Sequence, residues 1–251
     1  MSGHSKWHTI KFKKAATDAK RGKLFTKIIK EIIVAARMGG GDLEGNSRLR
    51  TAVRTAKDAN MPKDNIERAI KKGSGELPGI HYEDFVYEGY GPGGVAIYIE
   101  GTTDNKNRTT PEIRHILSRH GGTLGATGCV GWMFTKKGQI TVEAKDASED
   151  ALTEIAIEAG AEDLVNNGEI YTITTAPEDL EAVRSVLDGK NIKILESVIR
   201  MVPNNTVTLD EKHATTLLKL LSALEEHDDI SKVSANFDIP DAVMEAISSE
   251  L

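Results

Sequence analysis

A single cysteine, Cys129, stands in a chain of 251 residues. It excludes an internal disulfide, a CxxC redox pair and a thiolate-rich zinc site, and it makes a reducing, cytoplasmic-type compartment the default expectation. Aromatic residues make up only 5% of the chain, and its longest purely aliphatic run, Ile32 to Ala36, has five residues. A membrane-spanning helix needs roughly 20, so neither a span nor a signal-peptide core is expected. Proline is scarce, at seven residues, and with 39% hydrophobic and 28% charged residues the composition fits neither a collagen-like repeat nor wholesale disorder. What remains is a soluble globular chain with room for roughly one to three domains.

Charge is plentiful but unevenly placed. Residues 1–75 hold 18 Lys+Arg against 7 Asp+Glu, whereas residues 76–251 hold 14 against 31, so a net charge of −6 conceals a basic head on an acidic body. Such a chain engages a polyanion through one end.

The head reads as an arm followed by three helices. Residues 1–16 place Lys6, Lys11, Lys13 and Lys14 beside Trp7 and Phe12 without the periodicity that would bury one face. Over about 17–37 the apolar positions Leu24, Phe25, Ile28, Ile29, Ile32, Ile33 and Ala36 recur at helical spacing. Lys20, Lys23, Lys27 and Lys30 fall on the opposite side, which predicts a solvated basic outer face. Gly39 to Gly41 end this helix. A second, about 47–59, points Leu49, Ala52, Val53 and Ala56 inward and Arg50, Arg54 and Lys57 outward. A third opens at Pro62 and stops at Gly73, and residues 74–80 form a linker.

The body alternates strands and amphipathic helices, which predicts an α+β, multidomain architecture. Residues 139–200 give the β-α-β-β-α-β order of a ferredoxin-like unit. Neither flank of that unit has enough elements to close a core, so the expected division is a basic helical domain with its arm at 1–75, a split α/β domain at 82–131 and 203–240, and an inserted ferredoxin-like α/β domain at 132–202.

Few motifs carry chemistry. Gly89-Tyr90-Gly91-Pro92-Gly93-Gly94 has the GxGxxG spacing of a dinucleotide loop, but a strand follows where the phosphate site needs a helix N-terminus, so a hairpin turn is expected. The frame at 40–47 has Asn46 where a phosphate-binding loop needs Lys. Seven histidines form no paired-ligand pattern, no GxSxG elbow is present, and Cys129 lies outside a recognisable helix N-terminus, so no catalytic residue, metal or cofactor is expected. The polar run Asp104, Asn105, Lys106, Asn107 and Arg108, flanked by threonines, suits helix capping first and a second contact with phosphate, RNA or protein next.

The sequence resembles the YebC/PmpR family over nearly its full length. The likeness rests on GHSKW at 3–7, DAKRGKLFTKIIKEI at 18–32, AARMGGGD at 35–42, NSRLR at 46–50, NMPKDNIERAIKKGSG at 60–75, YEGYGPGGVAI at 87–97, TDNKNRT at 103–109 and GCVGWMF at 128–134. Leu43 stands where the family often has proline. The resemblance implies three domains, no catalytic residues, and nucleic-acid contact at Lys6, Lys20, Arg21, Lys23, Lys27, Arg48, Arg50 and Lys63, and it gives weight to the TDNKNRT loop. It implies a DNA-binding transcriptional regulator; some members of the family instead resemble ribosome-associated factors that aid translation, including through proline-rich stretches, and its mitochondrial relatives include a translational activator of cytochrome oxidase.

The resulting expectation is a non-enzymatic regulator of gene expression that binds nucleic acid through residues 1–75, with DNA and ribosomal or transfer RNA both as targets. The alternative of another class is a small-molecule enzyme or sensor built on the Gly89 to Gly94 loop. Binding to a membrane surface through the first helix is disfavoured, because its apolar face is needed to close the head.

Overall fold

The computed structural model describes residues 18–248. The expectations at Lys6, Trp7, Lys11, Lys13 and Lys14, and for the side chain of Lys20, lie outside the described residues. The architecture is α+β with three separate apolar cores, a helical head followed by two α/β domains of which the ferredoxin-like one is inserted in the other.

In the head, α1 (Asp18–Gly39), α2 (Ser47–Asp58) and α3 (Lys63–Ser74) close around Ile32, Leu49, Ala52, Ala56, Ile66 and Ala69. Asn46 caps α2, its side chain accepting from Leu49 N at 3.0 Å while its amide donates to the carbonyls of Ala35 and Gly40 at 2.8 Å each, which ties the start of α2 to the end of α1. The turn into α3 places Asn60 at φ 57°, a left-handed position that asparagine tolerates. At Gly73 a Cβ would lie 2.5 Å from Ile33 O and 2.6 Å from Ala36 Cβ, so glycine sets how closely α3 crosses α1.

The split domain carries β1 (Glu83–Tyr90), β2 (Ala96–Thr103), α4 (Lys106–Arg119) and β3 (Thr123–Leu124) before the insertion. After the insertion come β8 (Val207–Thr208), α7 (Glu211–Glu225), β9 (Ile230–Ala235), β10 (Phe237–Asp238) and α8 (Asp241–Ser248). One sheet of order β3-β1-β2-β9 joins the two halves, with Ile97 opposite Ala235 and Ile99 opposite Val233. Its core packs Ile97, Ile99 and Ile113 against Leu217, Leu221 and Phe237, and α8 adds Met244 and Ile247.

The insertion runs through β4 (Phe134–Glu143), α5 (Glu149–Glu158), β5 (Asp163–Asn166), β6 (Ile170–Thr175), α6 (Leu180–Gly189) and β7 (Ile194–Pro203). Its antiparallel sheet of order β5-β6-β4-β7 is the ferredoxin-like arrangement. Phe134 pairs with Pro203, so the chain enters and leaves this domain on neighbouring strands. A small seam of Ala96, Val130 and Phe134 with Tyr98 and Met201 joins it to the split domain, and Lys232 Nζ donates to Ile199 O at 2.7 Å across the same boundary.

Helix α4 begins at Lys106, and the polar run supplies its cap and first turn, as the capping reading expects: Asn105 accepts from Arg108 N at 3.2 Å. After residue 240 the chain adds α8, which packs Met244 and Ile247 into the same core as the sheet.

Candidate nucleic-acid interface

The lysine stripe of α1, expected as an outer face, turns towards the split domain. Lys23 Nζ donates to Glu226 O at 3.2 Å, Lys27 Nζ to Glu225 O at 2.6 Å and Lys30 Nζ to Asp228 O at 3.0 Å. These are the last carbonyls of α7 and of the loop after it, the partially negative end of the helix, where ammonium groups satisfy acceptors that have no partner within the helix. The physical reason for the inward turn is thus a second helix end that attracts the stripe more specifically than water does.

Asp229 anchors this joint. Its carboxylate, 3% exposed, takes Lys30 Nζ at 2.6 Å, Arg108 Nη2 at 2.6 Å and Thr109 Oγ1 at 2.7 Å. Burial alone would raise its pKa, but hydrogen bonds from Lys30, Thr109 and Arg108 outweigh that penalty and hold it well below the ordinary carboxylate range. Thr103 Oγ1 joins the network at 3.3 Å, and Tyr82 lies under Lys30 with 5.7 Å between the ammonium and the ring centre. The TDNKNRT run therefore caps α4 and completes a buried charge network between head and body. Within the run Lys106 pairs with Glu83 at 2.7 Å and Arg108 also reaches Asp104 at 3.1 Å, while Asp104, Asn105 and Asn107 are exposed.

Sequence reasoning missed Asp229. A signal was present: Glu225, Glu226, Asp228 and Asp229 crowd the end of a helix whose dipole repels negative charge, which calls for a cation from elsewhere.

Other head arginines also serve internal contacts. Arg48 makes a two-pronged pair with Glu31, Nε to Oε1 at 2.7 Å and Nη2 to Oε2 at 2.9 Å, and reaches Asp84 of β1 at 2.8 Å. The hydrogen bond it donates to Glu31 is the largest influence on this guanidinium and, with the Asp84 contact, outweighs burial to raise its pKa further. Arg50 donates to the carbonyls of Leu43 and Glu44 at 2.8 and 3.1 Å. Arg54 pairs with Glu181, and Asp58 accepts from Arg184 at 2.8 Å, so α2 and α6 exchange ion pairs of opposite polarity. Of the predicted contact residues whose side chains are described, Arg21, Lys57 and Lys63 remain exposed without such a domain contact, Arg21 resting over Phe25 at 5.5 Å and Lys63 beside Glu67 at 3.4 Å. Arg68 and Lys71 on α3, not singled out from the sequence, are exposed as well.

Glu88, also missed, is a buried carboxylate held by main-chain donors. Gly128 N donates to Oε1, and Val130 N and Gly131 N donate to Oε2, each at 2.7 Å. Burial raises its pKa, yet the three amides together hold it below the usual range. This clamp shapes the turn that presents Trp132, 69% exposed, whose Nε1 donates to Cys129 O at 3.2 Å. Burial first, and then the Glu88 charge, push the Cys129 thiol up, which makes it a poor nucleophile.

The Gly89 to Gly94 run is a hairpin turn between β1 and β2, with Tyr90 opposite Ala96, as its strand context predicts. One group with metal-ligand spacing occurs among the described residues, Glu112, His227 and Asp229. Its atoms are already committed: His227 Nδ1 accepts from Asp229 N at 3.1 Å, its Nε2 donates to Glu112 Oε2 at 3.1 Å, and two cations occupy Asp229. Among the described residues no helix is long and apolar enough to cross a membrane.

Comparison with known proteins agrees with this architecture. The profile described as "TACO1/YebC protein N-terminal domain" matches residues 5–76, and that described as "TACO1/YebC second and third domain" matches residues 82–237. A "Probable transcriptional regulatory protein" of Syntrophus aciditrophicus is 58% identical over 250 residues, spanning 99% of this chain and 100% of the relative. A protein of the same description from Halothermothrix orenii is 57% identical over 253 residues, covering 100% of both. The crystal structure of a conserved hypothetical protein, Aq1575 from Aquifex aeolicus, superposes with a TM-score of 0.83 at 54% identity, covering 89% of this chain and 93% of that one. With both profiles matched and full-length relatives at this identity, the chain belongs to the TACO1/YebC family.

Proposed function

We propose that this protein is a non-enzymatic regulator of gene expression that binds nucleic acid, as a DNA-binding transcriptional regulator, through the basic head. The observation that carries the reading is the one-signed charge of residues 1–75, 18 basic against 7 acidic, in a chain whose remainder is acidic. Two sets matter within the head's charge. Lys23, Lys27, Lys30, Arg48 and Arg54 serve the joints with the body. The contact set is the arm, with Lys6, Trp7, Lys11, Lys13 and Lys14, together with the exposed Arg21, Lys57, Lys63, Arg68 and Lys71.

Lysine and arginine reach phosphates without reading sequence, so affinity falls steeply with salt, by about 0.9 log units per neutralised phosphate per decade on duplex DNA. The test is binding of the full-length protein to duplex DNA across a salt series, beside K57E/K63E/R68E/K71E. A large loss of affinity and a shallower salt slope in the variant support the reading; unchanged affinity overturns it. Sedimentation of a lysate with and without nuclease separates the targets, since head-dependent co-migration with ribosomes replaces the transcriptional reading by a translational one.

A further inference from the structure

A cleft of about 570 Å³ opens where the β1–β2 turn, the end of α4 and the start of α7 meet, on a part of the split domain that none of the joints described above uses. Arg119, His120, Lys212, His213 and Thr216 line it with the Pro92 to Gly94 turn. No carboxylate is among the lining residues, although residues 76–251 hold 31 acidic side chains against 14 basic ones. Arg119 and Lys212 are exposed, and neither has an ion-pair partner among the described residues. The acidic groups nearest in sequence are Asp210 and Glu211 at the start of α7; Asp210 accepts from His213 N and pairs with His213 Nδ1, both at 2.8 Å, and the Lys212 charge also acts on it without forming an ion pair.

The walls are set rather than loose. His120 Nδ1 donates to Ile116 O at 2.9 Å and His213 Nδ1 is held by Asp210, which orients both imidazoles and leaves each Nε2 uncommitted. Gly93 and Gly94 adopt φ of 73° and 77°, and nothing lies within 4 Å of a Cβ placed on Gly94, so the backbone there is open to close approach by a ligand. A planar guanidinium and a point-charge ammonium on one concave surface are the pairing that recognises tetrahedral phosphate oxygens. The volume falls in the range of pockets that hold nucleotide-sized ligands.

We propose that this cleft binds a phosphate group between Arg119 and Lys212, carried by a free nucleotide or by a nucleic-acid strand. The assignment is independent of the head and puts a second anion-binding surface on the acidic body.

The test uses the full-length protein, R119E/K212E and the milder R119Q/K212Q, with AMP, adenosine and a single-stranded 20-mer as probes in calorimetric titrations. Losing two charge-assisted contacts lowers affinity for the cognate probe at least about tenfold in the Glu variant and by less in the Gln variant. AMP bound by the wild type in preference to adenosine, and lost in both variants, assigns the site to free nucleotides. Loss confined to the 20-mer assigns it to a strand. Affinities for AMP and the 20-mer that stay within about twofold of wild type in both variants, or wild type that binds neither probe, overturn the proposal. The head variant K57E/K63E/R68E/K71E, titrated in parallel, separates this outcome from failure of the head reading, because it leaves AMP binding unchanged.

Discussion

Lys30 Nζ lies 2.6 Å from Asp229 Oδ1, an ion pair 199 residues apart in sequence that is buried between the head and the split domain. Its neighbours complete the joint, Lys23 and Lys27 on the same stripe and Arg108 on the far side of the carboxylate.

Removing Lys30 leaves the buried Asp229 carboxylate with Arg108 and Thr109 but without its buried cation. Lys30→Met keeps the apolar stem and deletes the ammonium, with an expected destabilisation of about 3 kcal/mol, since breaking one side of a buried pair costs more than the pair contributes. Urea denaturation measures it. In K30M/D229N part of the loss returns, because neither side then buries a lone charge; full additivity of the two single variants would refute the coupling.

The same carboxylate sets an acid limit on the joint. Asp229 titrates well below its unfolded value in the folded state, so its stabilisation is fully present above the ordinary aspartate pKa of about 3.9 and is lost as pH falls from there towards the folded pKa. Urea midpoints measured between pH 7 and pH 2 should fall more steeply below about pH 4 for wild type than for Asp229→Asn.

Glu88→Gln tests the amide clamp. The least disruptive placement keeps the carbonyl oxygen facing Val130 N and Gly131 N and turns the new NH₂ towards Gly128 N, donor against donor. The expected cost is about 2 kcal/mol, with faster hydrogen exchange at Gly128 and a change in the emission of the neighbouring Trp132.

Gly73→Ala reverses the usual rule for helices. Alanine normally stabilises a helix interior by up to about 1 kcal/mol, but here its methyl group would meet Ile33 O at 2.5 Å. Overpacking of this kind costs about 1–3 kcal/mol, so a lower melting temperature is expected.

Much of the fold was legible because its signals are local. The 3.6-residue period located the three head helices, and the alternating pattern of 139–200 gave the ferredoxin-like order, since one buried face per element suffices to set these patterns. The capping role of the run before α4 was legible as well, because Asn105 caps through its own side chain, a local interaction. At the candidate site, composition revealed the charge of the head but not which of its cations are taken up by the joint with the body. The stripe of Lys23, Lys27 and Lys30 reads identically whether it faces water or the end of α7, and that partner lies about two hundred residues away in sequence. The glycine hairpin was legible as a turn, whereas the cleft beside it depends on α4 and α7 converging from both sides of the insertion.

The lysine stripe reads the body largely through its main chain. Lys23, Lys27 and Lys30 address the carbonyl oxygens of Glu225, Glu226 and Asp228, and every amino acid carries that oxygen. Side chains at Glu226 and Asp228 can therefore change over evolution or under random mutagenesis without removing the acceptors of Lys23 and Lys30. Tolerance should end abruptly at Asp229, where the side chain itself is the acceptor, and at any insertion or deletion in α1 that shifts the lysines out of step with the last turn of α7.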